Sequence, residues 1–187
     1  MIIHVMGASG TGTSTIGELL GKELDFDVIE SDFYKWEQTI PEFQIMRPIE
    51  ESNKLLIDKI KESKNLIITG SLHSNSVTFD YIDLIVYLKC PTFIRMRRIK
   101  KRDIQFGRNS LKQEGEIKEN FLGFLFLAKN YNKLGLDKRS RASQKWVMSS
   151  CENALVIEIS TNGRMKKVHD RVLKKVKDFV DNFNKSI

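Results

Sequence analysis

The feature that most limits what this chain can become is the segment Gly7-Ala8-Ser9-Gly10-Thr11-Gly12-Thr13-Ser14. It follows an apolar run, Ile2-Ile3-His4-Val5-Met6, and precedes a stretch whose Ile16, Leu19, Leu20 and Leu24 fall on one helical face. A short apolar run ending at glycine reads as a buried strand, and apolar residues three and four apart read as an amphipathic helix. Strand, glycine-rich turn and helix in that order bring successive backbone N–H groups and the positive end of a helix dipole to one point. Such a junction suits an anion, and phosphate above all. Glycine is required because a backbone without Cβ can approach phosphate oxygens closely.

Set against the phosphate-binding pattern G-x-x-x-x-G-K-[ST], Gly7, Gly12 and Ser14 match, and Thr13 stands where the lysine belongs. Ser9, Gly10, Thr11, Gly12, Thr13, Ser14 and Thr15 are the expected phosphate contacts, with the Ser14 hydroxyl placed for Mg²⁺. Two other readings compete. A dinucleotide-binding turn shares Gly7 and Gly10 but needs glycine at position 13; Glu30 or Asp32 would then serve as its ribose acid, in an NAD(P)-dependent oxidoreductase. A purely structural turn accounts poorly for three glycines among hydroxyl residues.

Further strands are expected at Asp27–Glu30 and at residues 65–69, 82–88 and 154–159. Helices are expected from residue 15 to 24, over 47–63, after Pro91, over 116–131 and 140–149, and at the C-terminus, where Val168, Val172, Val176 and Phe179 keep helical spacing. Strands separated by helical segments imply a parallel sheet with right-handed crossovers. The 187 residues suit one domain with a large shared core. Only two cysteines occur, Cys90 and Cys151, so a reduced, cytoplasmic chain is expected rather than a disulfide. No signal peptide is expected from the residues MIIHVMGASG, which show neither a basic stretch nor a small-residue cleavage site, and no apolar run approaches the roughly 18 residues of a membrane span.

The net charge is +7, and much of the excess lies in Arg95-Met96-Arg97-Arg98-Ile99-Lys100-Lys101-Arg102. The excess is modest for nucleic acid and no RNA- or DNA-binding motif accompanies it, so nucleotide phosphates are the better match. A solvated helix face is the alternative for any one of these residues.

The run GASGTGTST between strand and helix, with a second strand ending in Glu30-Ser31-Asp32, resembles the P-loop small-molecule and nucleoside monophosphate kinases. It is most similar to the adenylate kinase-like and shikimate kinase-like groups, in a variant without the loop lysine. The resemblance implies a three-layer α/β/α P-loop NTPase with a five-stranded parallel sheet and a helical lid region, an insertion over roughly 103–141. It implies ATP and Mg²⁺ as cofactors and a nucleotide or other small-molecule acceptor; a monomer or homodimer is expected. Asp32 matches the acid that in shikimate kinase-like proteins contacts metal-bound water or the acceptor hydroxyl; a capping role is its alternative. With Ser14 it forms the expected metal site. Gly70-Ser71 falls where these kinases place small residues beside the acceptor, and the third strand carries no aspartate. Residues 33–47, with Tyr34, Trp36, Pro41, Phe43 and Arg47, are the expected acceptor segment, with His73 a further candidate.

Loss of the loop lysine removes a charge-assisted bond worth roughly 1.5–3 kcal/mol, a penalty of about 10²–10³ in rate if it acts in the transition state. Arg95, Arg98 and Arg102 share one helix face by their spacing. Arg102, Arg108, Arg139 and Arg141 are the expected phosphate contacts, because related kinases close an arginine-bearing lid from this region and the guanidinium fork suits phosphate. The apolar run at 121–128 is expected to be a core helix under that lid, or a dimer patch. These readings make the chain an ATP-dependent phosphotransferase. The alternatives are a nucleotide-binding protein without efficient kinase activity and an NAD(P)-binding oxidoreductase.

Overall fold

The computed structural model describes residues 1–40, 45–73 and 76–186. Five parallel strands form one sheet: β1 (Ile2–Gly7), β2 (Asp27–Glu30), β3 (Leu66–Thr69), β4 (Leu84–Lys89) and β5 (Leu155–Ser160), in the order β2-β3-β1-β4-β5. The helices are α1 (Thr13–Leu24), α2 (Ser31–Lys35), α3 (Ile49–Glu62), α4 (Thr92–Gln105), α5 (Glu116–Asn130), α6 (Arg141–Ser150) and α7 (Met165–Ser186). No helix among the described residues is long and apolar enough to cross a membrane.

Every β1 residue is buried, as a central parallel strand requires when both sheet faces are covered. Alternation sends Ile2 and Met6 to one face, where they meet Leu56 and Ile60 of α3 and Val147 of α6. Ile3 and Val5 face the other side, against Ile16 and Leu20 of α1 and Val168, Val172 and Val176 of α7. The result is three layers, with all strand carboxyl ends along one edge. In such sheets that edge holds the ligand. The order also separates the two glycine-loop readings. Here β3 lies beside β1, whereas the dinucleotide fold sets its second strand there. The oxidoreductase reading therefore loses its scaffold.

Several boundaries differ from expectation for local reasons. Helix α1 begins at Thr13 rather than at residue 15, directly after Gly12 at φ +96°. Helix α3 begins at Ile49, not at residue 47, because the residue before Pro48 is driven out of the helical region. Helix α2 has only five residues, too few for a periodic signal. The run at 121–128 divides: Leu125 and Ala128 pack against Ile99 of α4, while Leu122, Phe126 and Leu127 stay exposed. Cys90 and Cys151 are free thiols.

Candidate active site

The loop between β1 and α1 is held by its own bonds. Thr11 donates to the Ala8 carbonyl from both N and Oγ1, at 3.0 and 2.8 Å. Its side chain is buried, so this hydroxyl shapes the loop and does not face a ligand. Gly10 has φ +83°, and a Cβ there would lie 2.7 Å from the Arg95 carbonyl. Gly12 caps α1 with no side-chain bond, which leaves first-turn amides for an incoming anion.

Side chains from distant segments grip the outside of this loop. Arg98 Nη1 donates to the carbonyls of Gly10 and Thr11 at 3.5 and 3.4 Å, and its Nη2 to Thr161 O at 2.8 Å. Arg95 Nη1 donates to Ser9 O at 3.1 Å. The Gly7 carbonyl accepts from Gln144 Nε2 at 2.8 Å and from Arg139 Nη2 at 3.4 Å. Gln144 is fixed in turn, because Tyr131 donates its hydroxyl to Gln144 Oε1 and pairs with the Tyr87 hydroxyl at 3.0 Å. Burial and the Tyr87 bond hold the Tyr131 pKa well above the usual phenol range, so it stays a protonated donor. Arg139 is carried to the loop by the start of α6. There Ser140 and Ser143 bond each other's backbone N–H reciprocally as a capping box.

The other wall of the site follows β2. Ser31 Oγ donates to Ser71 O at 3.1 Å, docking α2 against the end of β3. Asp32 lies in the first turn of α2 and Lys35 at its end. Burial pulls the Lys35 ammonium down to about 8; Asp32 opposes that shift and the Arg139 charge adds to it. Burial and Lys35 also lower the His73 pKa. His4, wholly buried in β1, is held down to about 4 by burial, although its Nε2 lies 3.3 Å from the Gly70 carbonyl. Arg139 Nε and His73 Nε2 are buried with no hydrogen-bond partner. A two-stranded closure, Arg47 N to Lys35 O at 2.8 Å and Glu37 N to Ile45 O at 2.9 Å, brings Arg47 back beside α2. An open cavity of about 670 Å³ is lined by Ser14, Glu30, Phe33, Tyr34, Leu55 and Thr69 among others.

The structure thus gathers only some of the residues expected from sequence. Arg139 bonds the loop at Gly7, and Asp32 lies in the first turn of α2, where its charge and that of Arg139 both act on Lys35. Arg102, Arg108 and Arg141 are exposed and make no bond to the loop; the Arg108 guanidinium instead lies 5.7 Å from the Phe106 ring centroid. Thr15 is exposed. Arg47 pairs with Glu51 at 2.9 Å. Pro41 and Phe43 lie outside the described residues. Sequence reasoning missed Lys35, Tyr131 and Gln144. For Lys35 a signal existed, its three-residue spacing from Asp32, but it has meaning only once α2 is known to be helical. Tyr131 and Gln144 carry no local signal.

Comparison with known proteins agrees with this architecture. Residues 3–119 match the family described as AAA domain. An uncharacterized protein of Bacillus subtilis (strain 168), YqaC, is 34% identical over 172 residues, covering 90% of this chain and 95% of that one. A cytidylate kinase of Methanobrevibacter smithii is 32% identical over 130 residues, covering 64% and 73%. Among solved structures, a shikimate kinase from Aquifex aeolicus vf5 superposes with a TM-score of 0.51 at 17% identity, covering 96% of this chain and 98% of that one. At that identity the likeness is one of fold.

Proposed function

We propose, for a chain that belongs to the AAA domain family of kinase-like P-loop proteins, that it is an ATP-dependent phosphotransferase whose small acceptor carries an anionic group. One observation supports this reading above the others. Between the phosphate loop and the end of β3 stand Lys35 and Arg139, with His73 beside them and Asp32 the acid that acts on Lys35. Polar atoms of Arg139 and His73 there are buried and unpartnered. Two cationic side chains beside the phosphate loop against one acid leave net positive charge there, which suits an anion.

The chemistry asks the protein mainly for positioning and charge neutralisation. Loop amides and the α1 N-terminus hold the β- and γ-phosphates. Asp32 orients the acceptor oxygen and takes up its proton, where it has one, as that oxygen bonds to the γ-phosphorus. The bond between the γ-phosphorus and the bridging oxygen breaks, and ADP leaves. Lys35 and Arg139 neutralise the acceptor's anionic group. Ser14, with Asp32 acting through a metal-bound water, would hold a Mg²⁺ ion whose other ligands are water and phosphate; bound there, the ion would offset the phosphate charge.

Incubation with ATP, Mg²⁺ and a panel of nucleoside monophosphates and small hydroxy acids tests the proposal. Acceptor-dependent ADP release is the expected result. ATP binding without turnover on any acceptor would overturn it, and would favour the second reading that Thr13 motivates, a nucleotide-binding protein without efficient transfer.

A further inference from the structure

Arg95 is among the largest wholly buried side chains of the molecule, at 1% exposure. Its guanidinium has no carboxylate partner among the described residues. It donates only to neutral groups: Ser9 O and Ala128 O at 3.1 Å, Cys90 O at 3.3 Å and Thr92 Oγ1 at 3.1 Å, with the Tyr131 ring centroid at 5.3 Å. A buried charge without a counter-charge is costly, so proteins normally pair it. Burial lowers the Arg95 pKa, but a guanidinium starts so high that it remains charged. Beside it Arg98 holds the next two loop carbonyls. Three consecutive carbonyls, of Ser9, Gly10 and Thr11, are thus drawn outward onto two cations, at the one loop whose pattern lacks its lysine.

We propose that Arg95, seconded by Arg98, supplies from behind the loop the positive charge that lysine at position 13 would place inside it, and that the missing counter-ion of Arg95 is the bound triphosphate. The inference rests on the reading that the loop holds nucleotide phosphates. Arg95 is a positioning residue under this proposal. It touches the loop and acts on phosphate through the field across it. The alternative is a neutral peg that merely keeps the loop in shape.

Calorimetric titration of ATP and of adenosine separates the two. Arg95→Gln is expected to weaken ATP about tenfold while adenosine is unchanged, and Arg95→Lys to stay within about threefold of the parent. Adding Thr13→Lys to Arg95→Gln should restore ATP affinity, because a charge lost behind the loop is returned inside it; a peg would not be rescued that way. Equal losses for ATP and adenosine, or no rescue, overturn the proposal. Should Arg95→Gln fail to melt cooperatively, Thr13→Lys alone decides: a gain under about threefold is expected where Arg95 already supplies the charge, and a gain of tenfold or more overturns the idea. If the parent chain binds no ATP, the nucleotide reading itself has failed, and this inference falls with it.

Discussion

Gln144 donates from Nε2 to the carbonyl of Gly7 at 2.8 Å, joining residues 137 apart in sequence. The bond ends a buried chain that runs from Tyr87 on β4 through Tyr131 to the first residue of the phosphate loop. The entry into the loop is therefore positioned by the sheet's own second layer. Gln144→Leu removes the link while keeping much of the volume. It leaves the Gly7 carbonyl on the longer Arg139 bond alone, and an expected loss of roughly 1–3 kcal/mol follows. Urea denaturation measures it, and an unchanged midpoint would show that the chain does not support the loop.

Asp32 can be tested without disturbing the core, because it lies in the first turn of a short helix. Asp32→Asn keeps its size and removes the charge that, in the proposed reaction, takes up the acceptor proton. A fall in kcat of about 10²–10⁴ is expected, with little change in melting temperature. Full activity in the variant would remove Asp32 from the reaction.

On the proposed reaction, the lowered pKa of Lys35 should make acceptor use depend on pH. Below about 8 the ammonium is charged and attracts an anionic acceptor; above it the charge is lost. KM for the acceptor should rise as pH passes upward through that value, while KM for ATP stays flat over the same step. Lys35→Met should have a high, pH-independent acceptor KM. A parent profile without the step contradicts the role given to Lys35.

His4 makes a prediction about stability rather than activity. Its folded pKa of about 4 lies below the ordinary value of 6.5. Between those values the unfolded chain binds the proton and the folded chain does not, so stability falls as pH drops through that window and does not change above it. The contribution is roughly 3 kcal/mol, complete by about pH 4. The difference in unfolding free energy between parent and His4→Leu, measured across that range, should carry this slope.

Gly10 tests how tightly the loop sits against α4. Its φ of +83° is strained for any other residue, and a Cβ would meet the Arg95 backbone carbonyl at 2.7 Å. Gly10→Ala should cost at least 1–3 kcal/mol and weaken ATP binding, since neither the loop nor the α4 backbone can yield alone. Thermal melting with and without ATP reads both effects.

The loop, the strands and α7 were legible because each rests on local order: glycine spacing, continuous apolar runs, and a helical period kept for several turns. Helix α2 was not, since five residues carry no period, and Lys35 was lost with it. The arginines show the limit most clearly. Arg95, Arg98 and Arg102 follow one another at helical spacing, yet Arg95 is buried, Arg98 half-buried and Arg102 exposed. Spacing says which residues share a face. The rotation of α4, set where Ile99 packs against Leu125 and Ala128, says which way that face points.

What the sequence determined by itself was the phosphate-binding loop, its missing lysine and the parallel three-layer frame, because those depend on neighbours a few residues apart. Only the tertiary structure decided how the loop is held and which cations lie behind it. Arg139 and Gln144 reach Gly7 across 132 and 137 residues, and Arg95 lies under Ser9 because α4 packs against the loop there. Contacts of that range arise from how helices settle on a sheet, which no local pattern encodes.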